Sequence, residues 1–193
     1  MDEAAPTVMI LMHGVSGSGK SWLSERLVPA LHAVRIRSDV ERKRLAGVSP
    51  IEHAPASVRE SIYSKQFSHR TYARLAECAE SCLRAGVNVI LDATFLKAAD
   101  RELLHTLAAA AGAAETIVSC QADSATLAAR VRDRAADREN PSDATLHVLE
   151  AQLGADEPFA ESERERVVAV DTSQPDPVEH LLSAVTQKMH SPG

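Results

Sequence analysis

The sequence has no long apolar run. No stretch approaches the roughly 18 residues of a bilayer-spanning helix, which argues against an integral membrane protein. It has no excess of positive charge either. Lys and Arg number 21 against 27 Asp and Glu, a net charge of −6, so bulk attraction to nucleic acid or anionic lipid is not supported. Cysteine is scarce: Cys78, Cys82 and Cys120 form an odd set at spacings that argue against a disulfide scaffold. Cys78 and Cys82 lie four apart on an expected helix, with no further Cys or His at metal-ligand spacing. They read as small buried core residues. The first residues lack a basic segment followed by an apolar core, so no secretory leader is expected and the cytoplasm is the expected compartment. There is no internal repeat.

What is present is an ordinary globular composition, 45% hydrophobic and 25% charged, over 193 residues. That length suits a single domain, 1–193, with a sizeable core. Strands are expected at 7–13, 33–38, 87–93, 115–121 and 166–171. Helices are expected at 19–31, 40–46, 57–85, 97–111, 123–138, 143–153 and 176–189. Gly86 and Gly112 follow two of these helices as terminators, and Ser142 or Asp143 is the expected N-cap of another. Residues 47–57 and the acidic stretch 154–165 read as loops. Alternating strands and helices imply an α/β fold, a mainly parallel five-stranded sheet with helices on both faces. Ligands of such sheets sit at the carboxyl ends of the strands.

The most informative segment is Gly14-Val15-Ser16-Gly17-Ser18-Gly19-Lys20-Ser21. It completes the phosphate-binding pattern G-x-x-x-x-G-K-[ST]. Its glycines allow a tight turn that aims successive N–H groups at phosphate oxygens. Lys20 would reach the outer phosphates and the Ser21 hydroxyl would ligate Mg²⁺. The apolar run Val8–Met12 before it and the amphipathic pattern after it supply the strand and helix the motif requires. No [N/T]-K-x-D guanine-reading motif is present, so ATP is expected rather than GTP.

Four further places stand at or near strand ends. Asp39 is either an N-cap or a carboxylate that accepts a substrate hydroxyl proton. Arg42, one turn on, would then face the same site and hold substrate or the transferring phosphoryl group. Asp92 ends the apolar run Val89-Ile90-Leu91 and reads as a Mg²⁺-holding carboxylate, or as a contact to the acceptor, or as a helix cap. Thr94 could bond nearby, and Arg101 divides evenly between site and surface. Arg130, Arg134 and Arg138 recur every four residues on one helical face. They are either a solvated face balanced by Asp133 and Asp137 or the arginines of a lid, approximately 123–142, that closes over phosphates. Arg130 and Arg134 are the favoured pair, and Asp171–Pro175 would border the adenine. Residues 44–74 would form the substrate segment.

Gly14–Ser21, Ser38-Asp39-x-x-Arg42, Leu91-Asp92-Ala93-Thr94 and Leu127-x-x-Arg130-x-x-x-Arg134 together resemble the P-loop kinases of the polynucleotide kinase, gluconate kinase and zeta-toxin group. The set is most similar to the bacterial P-loop kinase-like ATP-binding proteins of the "AAA domain" family. The likeness spans residues 7–172. It implies an adenylate-kinase-like three-layer core with sheet order 2-3-1-4-5 and a helical lid. It also implies phosphoryl transfer from Mg²⁺·ATP to a hydroxyl. Lys20 and Ser21 would serve phosphate and Mg²⁺, Asp39 would be the base, Arg42 would bind acceptor or phosphate, and Arg130 and Arg134 would be lid arginines. Residues 47–70 match no gluconate- or polynucleotide-binding motif. The chain lacks room for the extra helical domain of a hexameric unfoldase. Three functions are carried forward: a small-metabolite kinase, a 5′-hydroxyl polynucleotide kinase with a basic aromatic groove near 59–74, and an ATP-binding regulatory module. A monomer or weak dimer is expected.

Overall fold

Strand β1 (Val8–His13) is buried along its whole length. Its even-numbered apolar residues face one side of the sheet and its odd ones the other, so a continuous apolar run is what a doubly covered strand needs. In the computed structural model, which describes residues 6–50, 58, 61–136, 145–174 and 177–189, β1 lies at the centre of a parallel sheet. The other strands are β2 (Ala33–Arg37), β3 (Asn88–Asp92), β4 (Ala114–Gln121) and β5 (Val167–Asp171), in the order β2-β3-β1-β4-β5. Leu11 stands opposite Leu91 on one side and Ile117 on the other.

The helices between the strands are α1 (Lys20–Leu31), α2 (Ser38–Leu45), α3 (Lys65–Arg84), α4 (Ala98–Ala110), α5 (Ser124–Ala136), α6 (Leu146–Ala155), α7 (Glu161–Arg164) and α8 (Pro177–Met189). Leu23 and Leu27 of α1 join Leu181 and Val185 of α8 under Val8, Ile10 and Met12. Leu75, Ala79 and Leu83 of α3 join Leu104 and Ala108 of α4 under Met9 and Leu11 on the opposite face. Each such buried aliphatic side chain contributes about 1.5–3 kcal/mol relative to exposure. A third, smaller cluster matters more for the site: Leu127 and Val131 of α5 and Leu149 of α6 pack on Val15 and Leu96.

All five strands fall within one residue of the sequence-based boundaries, and two helix ends close at the expected glycines. Val87 N–H returns to Cys82 O at 2.9 Å beyond Gly86, and Ala113 N–H to Ala108 O at 2.9 Å beyond Gly112. Other boundaries differ. The helix expected over 57–85 is interrupted. A fresh helix begins after Ser64, whose hydroxyl accepts from Phe67 N–H at 3.3 Å. α6 is capped by Thr145, with Oγ1 accepting from Val148 N–H, and Ser142 and Asp143 lie outside the described residues. The acidic stretch 154–165 is not all loop, because residues 161–164 form α7. Cys78 and Cys82 are half-buried at the margin of the core, and Cys120 alone of the three is buried. None of the helices among the described residues is long and apolar enough to cross a membrane.

Candidate functional site

The loop from β1 to α1 turns over the carboxyl edge of the sheet, and its shape rests on glycine. Gly14 has φ +134° and Gly17 φ +84°, a region that costs other residues about 1–2 kcal/mol. Space forbids a side chain as firmly as the torsion does. A Cβ on Gly14 would stand 2.6 Å from Cys120 O, and one on Gly17 would stand 2.8 Å from Leu127 O. Both neighbours are backbone atoms and cannot step aside. Gly14→Ala is therefore expected to lower unfolding free energy by about 2 kcal/mol, read as a shift in the urea midpoint. A wild-type midpoint would contradict this packing.

Lys20 closes the loop from inside. It is 8% exposed, and Nζ donates to Val15 O at 2.8 Å and Ser18 Oγ at 3.4 Å. The ammonium thus stands across the arc of peptide groups, at the start of α1. The helix dipole adds positive potential at that end, where Ser21 occupies the first turn. Loop residues Gly14, Val15 and Ser18 also line a cleft of about 470 Å³ with Ser119, Gln121, Leu153, Asp156 and Phe159. His13 stands at its floor, 4% exposed. It hydrogen-bonds Ser119 Oγ at 3.3 Å and Asp156 Oδ1 at 3.2 Å. Burial pushes its pKa below the usual 6.5 against the upward pull of Asp156. Burial raises the neighbouring Cys120 thiol to about 12, which leaves it protonated and unreactive at neutral pH.

Arg130 reaches the loop as its sequence position suggests. Nη1 donates to Gly17 O at 3.2 Å and to Thr172 Oγ1 at 2.8 Å, and Nη2 to Thr172 O at 2.9 Å. Thr172 in turn donates to Ser18 O at 3.0 Å. The turn after β5 and helix α5 therefore meet on the P-loop. Arg132 is exposed. The side chains of Arg134 and Arg138, and the lid residues 137–142, lie outside the described residues.

Asp39 is not a helix cap. α2 begins at Ser38, with Arg37 in the capping position, so Asp39 sits inside the first turn, where a carboxylate favours the helix dipole. Arg37 Nη2 donates to Asp39 Oδ2 at 2.9 Å. Asp92 lies on the strand between, and its Oδ2 accepts from Arg35 Nη2 at 2.5 Å, Arg35 Nε at 3.2 Å and Ser24 Oγ at 3.2 Å. Asp92 is thus an arginine-paired carboxylate rather than a bare one, which the sequence pattern alone did not anticipate.

Arg42 is largely buried between α2 and the start of α3. It is 9% exposed, and Nη1 donates to Ile62 O at 2.6 Å and Ser68 Oγ at 3.2 Å. Its guanidinium lies 5.0 Å from the centre of the Tyr63 ring. These bonds clamp the start of α3 to α2. Thr94 shares a 2.9 Å hydrogen bond with Tyr72 OH, and Tyr72 packs edge-on against Phe95. The Tyr72 hydroxyl and one ring edge are thus engaged within the protein. Arg101 is neither catalytic nor surface: it is 1% exposed and bidentate to Glu163 at 2.6 and 3.0 Å. Gln152 escaped the sequence reading altogether. Its Oε1 accepts from Ser16 N–H at 2.7 Å, and no local pattern marks it.

Among the described residues, no group of three or more His, Cys, Asp or Glu side chains is arranged to hold a metal ion. The donors that fit Mg²⁺ are those of a phosphate-bound ion: the Ser21 hydroxyl beside the cradle and, behind it, Asp92. The glycine cradle and Lys20 fit a nucleoside triphosphate tail.

Solved structures share this fold. A sugar kinase from Janibacter sp. HTCC2649 superposes with a TM-score of 0.69 at 21% identity, covering 94% of this chain and 95% of its own. A gluconokinase from Sinorhizobium meliloti 1021 gives 0.65 at 22% identity, covering 95% and 93%. The Mycobacterium tuberculosis APS kinase CysC, solved with AMPPNP and APS, gives 0.61 at 20% identity, covering 96% and 99%. No curated protein matches the chain. The family described as AAA domain matches residues 9–159, a span that runs from β1 through the P-loop, Asp39, Asp92 and Arg130 to Phe159. The chain belongs to that AAA domain family.

Proposed function

We propose that this protein is a kinase that transfers the γ-phosphoryl group of Mg²⁺·ATP to a hydroxyl of a small metabolite. The observation that carries the reading is the presence, on one sheet edge, of Lys20 held across a glycine cradle and of Asp39, a carboxylate in the first turn of α2 that caps no helix. β3 separates β2 from β1, so the two strands lie about 10 Å apart. That gap suits a terminal phosphoryl group and an incoming hydroxyl. The similar structures named as a sugar kinase, a gluconokinase and an APS kinase support the same class.

In this mechanism Lys20 and the loop N–H groups hold the phosphates and spread the charge that develops in transfer. Mg²⁺, when bound with ATP, neutralises part of that charge and orients the terminal group. Ser21 would hold it directly, and Asp92, whose Oδ2 is engaged by Arg35 and Ser24, would act from behind. Arg130 grips Gly17 and Thr172, and its charge would stand beside a nucleotide held by the loop. Asp39 orients the acceptor hydroxyl and takes its proton, while Arg37 steadies the carboxylate.

The test is ATP consumption with Mg²⁺ across sugars, amino alcohols, aminoglycosides, nucleosides and 5′-hydroxyl oligonucleotides, with Asp39→Asn alongside. One acceptor should raise turnover well above basal hydrolysis. Asp39→Asn should cut that gain at least about 10²-fold with ATP affinity retained. Full transfer by the variant would remove Asp39 as base. Tight ATP binding with no acceptor effect would turn the assignment to a regulatory module.

A further inference from the structure

Three consecutive residues of the P-loop are each held by the helix pair α5 and α6. The Val15 side chain packs among Leu127 and Val131 of α5 and Leu149 of α6. Ser16 N–H donates to Gln152 Oε1, one turn beyond Leu149, at 2.7 Å. Gly17 O accepts from Arg130 of α5 at 3.2 Å. The rest of the loop leans on other elements: Gly14 N–H on Thr94 O at 3.1 Å and Ser18 O on Thr172. The outer limb, residues 15–17, is the part splinted by α5 and α6.

That limb needs a splint. It is bounded by Gly14 and Gly17, whose torsions other residues seldom adopt. The limb pivots at these two glycines rather than within a regular element, so the direction of Ser16 N–H inside it depends on an external acceptor. A short hydrogen bond from a packed helix supplies it. The choice of an amide is chemically apt. An amide oxygen accepts the N–H without bringing negative charge to a loop built for phosphate.

We infer that Gln152 is a positioning residue for the phosphate cradle: by holding Ser16 N–H it sets the outer limb of the P-loop and couples α6 to nucleotide affinity. This rests on the nucleotide-binding reading of the loop and does not require phosphoryl transfer.

Three variants test it. Gln152→Met keeps the length and volume of the side chain and removes the strong acceptor. Gln152→Leu is a second acceptor-free variant should the methionine form fold poorly. Gln152→Glu keeps an acceptor oxygen and adds a charge. The Mg²⁺·ATP dissociation constant is measured by calorimetry at low and high salt, with the urea midpoint of each ligand-free protein. The acceptor-free variants should bind ATP about five- to tenfold more weakly, with midpoints near wild type. Gln152→Glu should be weak at low salt and recover to within about twofold of wild type at high salt, where the added charge is screened. Wild-type affinity in the acceptor-free variants would overturn the assignment. So would a loss in Gln152→Glu that salt does not relieve, or losses of affinity that merely track losses of stability. Binding that behaves as expected in a protein that transfers to no acceptor would sink the kinase reading and leave this one standing.

Discussion

Lys20→Ala is expected to cut acceptor-dependent phosphoryl transfer by at least about 10³-fold, leaving the ligand-free protein folded. Lys20 Nζ rests on Val15 O and Ser18 Oγ, two oxygens of the loop that would surround the phosphates. Transfer spreads charge over the oxygens of the moving group, and a fixed ammonium in a shielded site answers that charge without reorganising. Alanine removes the charge and leaves the glycine cradle as a set of neutral dipoles. Stability should change little, because the substitution also removes a largely buried charge, 8% exposed, whose desolvation is costly. Arginine should not restore activity. Its planar fork is wider than the compact ammonium, and the space between Val15 and Ser18 is set by backbone. Single-turnover transfer with saturating ATP separates a chemical defect from weakened binding. Wild-type transfer by the alanine variant would refute the site.

Arg101→Leu is expected to have the largest effect on stability, a loss of about 3–5 kcal/mol in unfolding free energy. Arg101 leaves α4 and enters the interior, 1% exposed. It engages both oxygens of Glu163 on α7, and it donates to Phe95 O at 3.1 Å and Pro158 O at 3.3 Å. Its guanidinium lies 4.8 Å from the Phe159 ring centre. Leucine would leave Glu163 buried with the Ala160 N–H as its remaining partner, and an unpaired buried carboxylate is what makes such breaks expensive. The effect carries a pH signature. The hydrogen bonds from Arg101 hold the Glu163 carboxyl below its usual 4.5. Its contribution is therefore fully present above pH 4.5 and is lost as pH falls through the lower folded value. Urea titrations from pH 7 downward should show a shallower acid slope in Arg101→Leu than in wild type, the remaining slope coming from carboxyls such as Asp123, Glu157 and Asp171 that are also held below their usual values. Exposed pairs such as Arg84–Glu80 and Arg164–Glu161 should each cost below about 1 kcal/mol when broken. A loss for Arg101→Leu in that small range would contradict the pairing.

The contrast between Lys20 and Arg101 shows what can be read from sequence. The P-loop is a local object: eight adjacent residues, a strand before and a helix after. The strands were legible for a similar reason, since burial on both faces gives the central ones local apolar runs such as Val8–Met12 and Val89–Leu91. The start of α3 was harder, because residues 57–64 carry a helical pattern almost as good as the helix proper. The break at Ser64 rests on one hydroxyl finding Phe67 N–H. The remaining site contacts were out of reach for a different reason. Arg101 meets Glu163 across 62 positions, Arg130 meets Thr172 across 42 and Gln152 meets Ser16 across 136. In each case the partner is an ordinary residue with no spacing to betray it. Arg42, one turn from Asp39, makes two further contacts that no sequence pattern marks, to Ile62 O and Ser68 Oγ.

The central place of β1 also shapes how the chain is made. The six-residue strand Val8–His13 leaves the ribosome well before its two neighbours, β3 and β4, which begin at Asn88 and Ala114. At about 5–20 residues per second, an interval on the order of 4–20 s separates the strand from both partners. Throughout it, an apolar segment with bare backbone donors and acceptors waits in an unfinished protein, a composition prone to intermolecular pairing. The feature that gives the finished molecule its rigid centre thus makes the nascent chain a natural client for chaperones, and makes slow translation before residue 92 a hazard for its yield.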